Sequence, residues 1–284
     1  MSSMNSVDLA LSNIRRKATG GPLQRPLSIT INFHPDRLTE DNTPLLLAMA
    51  KSGLIKSQFE TQTSNGGLTA FQGGARWQWE QRVFDGAYDD APNQLRPKYG
   101  ALNYRQYPMG ASPRFGSSYF KLKPHVLERS TFCYPDSFFQ PDDFATNDRL
   151  SDLIDKASSA NVDMLDDYIE AHIHGELKLI EDIESLVLDP IFKATDVEQY
   201  ARELGVPILW HEGFELSIET MSFYPDYRGA QFVELAKQLA TDGMINARAL
   251  GHAVVHDGYD EQDVKKVWHY LARFGYKGYS GVDR

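Results

Sequence analysis

The sequence predicts an α+β fold, with strands and loops early in the chain and helices late. Three observations carry that expectation. "LSITINF" (27–33) is β-branched and alternating, which suits a strand. Residues 57–119 are dense in Gly and Pro with scattered aromatics ("SNGG", "QGG", "DGAYDD", "RPKYG"), which suits loops and short strands. The last third repeats apolar residues at helical spacing over 229–241, 245–256 and 260–273.

Taken in order, residues 1–26 are polar and end in "ATGGPLQRP". They are expected to form a flexible N-terminal segment, with "VDLALSNIRRK" able to make a short amphipathic helix. A helix follows over 43–53, with Asp41 or Thr43 as cap and Gly53 as stop. Further strands are expected at 99–104, 117–123 and 129–134, and a helix at 149–159. Trp77 and Trp79 read as core or edge-strand packing. Helices are expected at 180–189 and 196–205, with a short strand or extended segment at 206–217. The domain reading is a β-rich catalytic core over 27–192. A mainly helical portion, 193–284, is either separate or a flank of that core.

Composition narrows the function. Hydrophobic residues make up 42% and charged residues 24%, which is ordinary for a globular chain. Net charge is −10, so a phosphate backbone is repelled and nucleic acid is a poor partner. The longest apolar run, Pro44 to Ala50, is too short to span a bilayer, and no standard secretory signal is expected. A single cysteine, Cys133, excludes an intrachain disulfide and reads as a small buried residue. The expected location is the cytoplasm, or delivery as an effector without a standard signal peptide.

The chemistry centres on "YIEAHIHGEL" (168–177). As a strand it sets Tyr168, Glu170, His172, His174 and Glu176 on one face and apolar residues on the other. One reading is metal chemistry, a metal-dependent hydrolase built on His172 and His174, with His211, Glu212, His252 and His256 as further donors. The other reading is sugar chemistry. Cleaving the nicotinamide–ribose bond of NAD passes through an oxocarbenium-like state that one carboxylate, Glu170, can stabilise. Upstream loops carry arginines for a pyrophosphate, tyrosines to stack a nicotinamide, serines to orient a carboxylate, and glycines that permit backbone approach. Glu60 is a second carboxylate candidate. A non-catalytic binding or effector module is the third reading.

The blocks "FHPDR", "SQFETQTSNGGLTAFQGGARWQWE", "RPKYGALNY", "SPRFGSSYFKL", "RSTFCYPDS" and "YIEAHIHGEL" resemble the signature blocks of a bacterial family of domains of unknown function. The pattern is in turn similar to ADP-ribosyltransferases. In those enzymes an early strand carries an Arg or His that contacts NAD, a middle strand carries Ser or Tyr, and a late strand carries the catalytic Glu.

That resemblance implies a split β core, NAD as substrate and a macromolecular target, most simply a protein, as for a toxin or effector. It implies Glu170 as catalyst, Ser117 orienting it and His34 on the adenosine-side ribose. Arg37 or Arg114 would hold the phosphates, Tyr99 or Tyr119 the nicotinamide, and Gly66, Gly67 and Ser118 would line the cofactor. Where the middle strand of those enzymes carries a Ser-Thr-Ser run this chain reads Ser-Ser-Tyr, and the target side chain is left open.

Overall fold

A computed structural model describes residues 5–62 and 69–278. Among them the strands are β1 (Ile29–Phe33), β2 (Leu54–Ile55), β3 (Lys98–Leu102), β4 (Ser118–Leu122), β5 (Ser130–Cys133) and β6 (Phe144–Thr146). There follow β7 (Glu170–Ile173), β8 (Leu177–Lys178), β9 (Ile183–Leu188), β10 (Ile208–Trp210), β11 (Glu215–Ser217) and β12 (Met244–Asn246). The helices are α1 (Ser6–Lys17), α2 (Leu45–Ser52), α3 (Gln58–Thr61), α4 (Ala75–Val83), α5 (Ser151–Ser159) and α6 (Leu179–Asp182). They continue with α7 (Asp196–Arg202), α8 (Ile218–Ser222), α9 (Ala230–Leu239), α10 (Ala247–Val255) and α11 (Glu261–Phe274). The fold is α+β. No helix among the described residues is long and apolar enough to cross a membrane.

The chain forms two compact units, each assembled from three segments. Unit 1 comprises Met1–Ile31, Gly53–Gln106 and Lys121–Glu184; unit 2 comprises Asn32–Ser52, Tyr107–Phe120 and Ser185–Arg284. The chain passes from one to the other inside β1, β4 and β9.

In unit 1 the strand order is β1-β3-β7-β5-β6, with antiparallel ladders throughout. All four residues of β5 and all four of β7 are buried. The segment expected to be flexible contains α1, which docks onto this unit. Asn5 caps it by accepting from Asp8 N, and Ala10 and Ile14, four apart, turn one stripe inward. Asn13 Nδ2 donates to the Phe84 carbonyl at 2.8 Å, which ties that stripe to the end of α4. One core results: Ala10 and Ile14 of α1, Trp79 and Val83 of α4, then Phe84 and Tyr88, with Cys133 and Phe144 of the sheet.

Two further stretches differ from the sequence expectation. "ARWQWEQRV", inside the stretch expected to hold loops and short strands, is a helix, and of the two readings for Trp79 the core one holds, by helical spacing with Val83. The expected helix at 180–189 is one turn, α6, followed by β9. Ile180, Ile183 and Val187 mimic helical periodicity. The run Ser185–Leu188 is buried throughout, and a short apolar run of that kind fits either state.

In unit 2 the order is β10-β9-β4, and β10 runs parallel to β9 with Ile208 opposite Leu186. The helices α9, α10 and α11 pack on one another. Asp260 caps α11 by accepting from the N–H groups of Gln262 and Asp263. Val264, Val267, Trp268 and Leu271 form its buried stripe. Gly116 is required by close approach. It has φ +156°, and a Cβ there would lie 2.0 Å from the Phe33 carbonyl carbon.

Candidate functional site

Strand register assembles a polar cluster inside unit 1. Opposite Glu170 of β7 stand Cys133 of β5 and Ala101 of β3; opposite His172 stand Thr131 and Tyr99. Directly opposed residues point to the same face of a sheet. The alternation of "EAHI" therefore delivers Glu170 and His172 to one place, together with Thr131, Cys133 and Tyr99.

A single assignment of protons satisfies these groups in series. Tyr88 O–H donates to His174 Nδ1 at 2.7 Å, and His174 Nε2–H donates to Thr131 Oγ1 at 2.9 Å. Thr131 O–H donates to His172 Nδ1 at 3.0 Å, and His172 Nε2–H donates to Glu170 Oε1 at 3.2 Å. Burial depresses both imidazoles, so they are neutral, and burial raises the Tyr88 phenol, so it stays protonated. Burial alone would raise Glu170. The hydrogen bond from His172, the Arg76 charge and the hydrogen bond from Ser137 outweigh it and hold the carboxyl below its ordinary range. Four donors in series thus end on one carboxylate.

The far side of Glu170 is held by Arg76 and Ser137. Ser137 Oγ donates to Oε2 at 3.0 Å, and Arg76 Nη1 donates to the same Oγ at 2.8 Å while standing 4.0 Å from Oε1. The Arg76 guanidinium also lies 4.0 Å from the centroid of the Tyr99 ring, in cation–π contact. Tyr99 O–H donates to Glu80 Oε1 at 2.8 Å, and Arg96 Nη1 donates to Glu80 Oε2 at 2.7 Å. Arg76 and Glu80 are four apart on α4 and so face the strands together. Glu170 retains 7% exposure, and Phe138 and Phe139, adjacent to Ser137 in the chain, are 65% and 55% exposed.

Cys133 Sγ lies 3.7 Å from His172 Nε2, and burial pushes its thiol well up, so it is not a resting nucleophile. One ligand atom each from Cys133, Glu170 and His172 fall within 4.8 Å of one another. That spacing and donor set could hold a soft divalent metal such as zinc. His174 is not in that group; its two nitrogens bond Tyr88 and Thr131.

The other residues singled out in the sequence are distributed as follows. His34, Arg37, Arg114, Ser117, Ser118 and Tyr119 belong to unit 2. Ser117 offers its carbonyl to His211 Nε2 at 2.6 Å; the hydroxyl on Glu170 is that of Ser137. Ser118 Oγ accepts from Asp189 N at 3.1 Å, and Tyr119 O–H donates to the Pro108 carbonyl at 3.0 Å. His34 meets the Trp268 ring edge-on at 4.9 Å. Gly66 and Gly67 lie outside the described residues. Glu60 is used structurally: it accepts from Ser57 N at 2.7 Å in a capping box at the start of α3. His252 and His256 meet at a tilt of 45°, ring centroids 4.8 Å apart, on an exposed face. Sequence reasoning missed Arg76, Glu80 and Ser137. The only signal for Arg76 is its place in the first turn of a helix that opens at a Gly pair. Ser137 carries no signal.

A family model described as "Protein of unknown function (DUF3626)" matches residues 28–156 and 145–274. The chain belongs to that family. Together the two matched stretches run from just before β1 to the end of α11, so they take in every residue of the Glu170 cluster. No curated protein matches the chain. The family description names no activity, and nothing in it links the chain to ADP-ribosyltransferases.

Proposed function

We propose that unit 1 cleaves the nicotinamide–ribose bond of NAD and transfers ADP-ribose to a macromolecular target, most simply a protein, with Glu170 as the catalytic carboxylate. The observation that carries this reading is the charge state of Glu170: buried, yet held ionised by His172, Arg76 and Ser137. A negative charge in a low-dielectric, preorganised setting is what an oxocarbenium-like transition state needs. His172 and Ser137 use two of the roughly four lone-pair positions of the carboxylate, which leaves positions for a ribose hydroxyl.

In the reaction the C1′–N bond breaks and its electron pair goes to the nicotinamide nitrogen, which leaves neutral. A nucleophile of the target bonds to C1′ and loses its proton to solvent. Exposed Phe138 and Phe139 supply apolar faces for a flat ring. The test is nicotinamide release and label transfer from NAD, comparing wild type with Glu170→Gln. Turnover by the wild type that Glu170→Gln loses supports the reading. No turnover, or equal turnover by both, overturns it.

A second reading is a metal-dependent hydrolase, favoured by the Cys133, Glu170 and His172 ligand atoms. In that case a bound zinc would supply an activated water. Elemental analysis of the purified chain separates the two: stoichiometric metal that Cys133→Ser loses supports the hydrolase, and activity that persists in chelator removes it.

A further inference from the structure

The end of α10 carries an imidazole pair that neither reading of the Glu170 cluster uses. His252 and His256 are four apart, and His256 N donates to the His252 carbonyl at 2.8 Å, so the helical turn persists to the second ring. Residues at that spacing are neighbours on one helix face. Both are exposed, and their ring centroids lie 4.8 Å apart. Buried Ala247, Leu250 and Ala253 hold α10 from its other side, so neither imidazole is committed to the core. Two imidazoles on one zinc ion, each bound at about 2.0–2.1 Å and near the tetrahedral angle, have centroids about 5 Å apart. The pair already stands at the separation that a shared metal requires.

A third side chain sets the tautomer. His252 Nδ1 lies 3.1 Å from Asp257 Oδ2. A carboxylate accepts, so Nδ1 carries the proton, and in neutral His252 the lone pair sits on Nε2. A carboxylate on the far nitrogen is the usual outer partner of a metal-binding histidine, where it fixes the ring and raises its basicity. Asp257 is placed by the backbone. Its N–H also reaches the His252 carbonyl at 3.3 Å, and Gly258 follows at φ +73°, a left-handed conformation that suits glycine. His256 closes α10 at the negative end of the helix dipole, which favours a cation.

We propose that His252 and His256 together bind a divalent transition metal of the zinc, nickel and copper class, with Asp257 holding His252 in the binding tautomer. Imidazole nitrogen suits those ions, whereas magnesium and calcium take oxygen. Two protein ligands leave the remaining positions to water, which suits an exchangeable ion rather than a structural one. Helical zinc proteases carry a glutamate base directly after the first histidine; Ala253 stands there, so the pair binds and does not hydrolyse. The site belongs to unit 2 and shares no residue with the Cys133, Glu170 and His172 group of unit 1.

Equilibrium dialysis of the full chain against zinc chloride, free of any affinity tag and first stripped with chelator, tests the proposal. Saturable zinc binding is expected, with one class of site lost in both His252→Gln and His256→Gln. Asp257→Asn should weaken that class by about tenfold, the low end for loss of an outer partner. All three side chains are exposed, so circular dichroism of the variants should match the wild type. Zinc that both histidine variants retain in full belongs to the unit 1 group and overturns the pair site. No zinc bound by the wild type, or displacement of the zinc by millimolar magnesium, overturns it as well. Unchanged affinity in Asp257→Asn overturns the role given to that carboxylate.

Discussion

Ser137 donates to Glu170: its Oγ lies 3.0 Å from Oε2, and Arg76 Nη1 donates to that Ser137 Oγ at 2.8 Å. The hydroxyl is both donor and acceptor, so it passes the pull of the guanidinium on to the carboxylate. Ser137 is held by the turn that Asp136 caps through Phe138 N, and Tyr168 O–H anchors Asp136 in turn. Ser137→Ala should lower stability by about 1.5–3 kcal/mol, the range for a hydrogen bond to a charged group. It should also slow nicotinamide release more than it raises KM, because the carboxylate loses orientation rather than substrate contact. Urea unfolding and steady-state kinetics give the two numbers; unchanged values in both would show that Ser137 is a bystander.

Arg76 is the cation shared by Glu170, Ser137 and the Tyr99 ring. Arg76→Met keeps much of the volume and removes the charge, leaving buried Glu170 without it. Truncating one partner of a buried charge network typically costs about 3–5 kcal/mol. Arg76→Lys should recover only part, because an ammonium does not reproduce the flat contact on Tyr99 or the bond to Gln58 Oε1 at 3.2 Å. Chemical denaturation of the two variants, run side by side, checks the order wild type, then Lys, then Met.

Unit 2 carries a pH signature at Asp36, which burial pushes up to about 6. A carboxyl raised above its unfolded value holds its proton in the fold after the unfolded chain has lost it. Its contribution to stability is therefore complete below the unfolded pKa of about 4 and is lost as pH rises toward 6. Asp36→Asn removes the titration, so it should match the wild type near pH 4 and exceed it by about 2–3 kcal/mol above pH 6. Urea midpoints at the two ends of that window measure the difference; a constant offset across the window would contradict the assignment.

Gly251 explains how Asp36 is accommodated. A Cβ at that position would lie 1.6 Å from Asp36 Oδ2, so the glycine is the space the carboxylate fills. Gly251→Ala should destabilise by about 1–3 kcal/mol through overpacking. In an Asp36→Ala background most of that loss should disappear, giving a coupling energy in a double-mutant cycle. Additive effects would place the strain elsewhere.

The parts of this structure legible in the sequence are those set by short-range period. Strand alternation in "YIEAHIHGEL" delivers Glu170 and His172 to one buried face, and α9, α10 and α11 follow the 3.6-residue spacing of their apolar residues. Two failures have physical causes. Residues 183–188 form a buried strand whose apolar run carries no period that separates it from a helix. Arg76 and Ser137 reach Glu170 from 94 and 33 positions away, and no local pattern encodes which arginine or serine will close on a carboxylate at that range. The docking of α1 was half visible. Its amphipathic stripe could be read, but its landing place under Phe84 depends on a helix, α4, that the Gly-rich flank disguised.

Because the chain passes between the two units inside β1, β4 and β9, neither unit is a contiguous stretch. A fragment ending at residue 192, where composition suggests a boundary, would keep all three segments of unit 1. It would also carry 32–52 and 107–120 of unit 2 cut off from most of the third segment they fold with. Those remnants expose apolar surface and invite aggregation. Deletion mapping would then report insolubility at nearly any cut and say nothing about activity. Interleaving of this kind makes the intact polypeptide the object on which the proposed role of Glu170 is to be tested, by side-chain replacement and not by dissection.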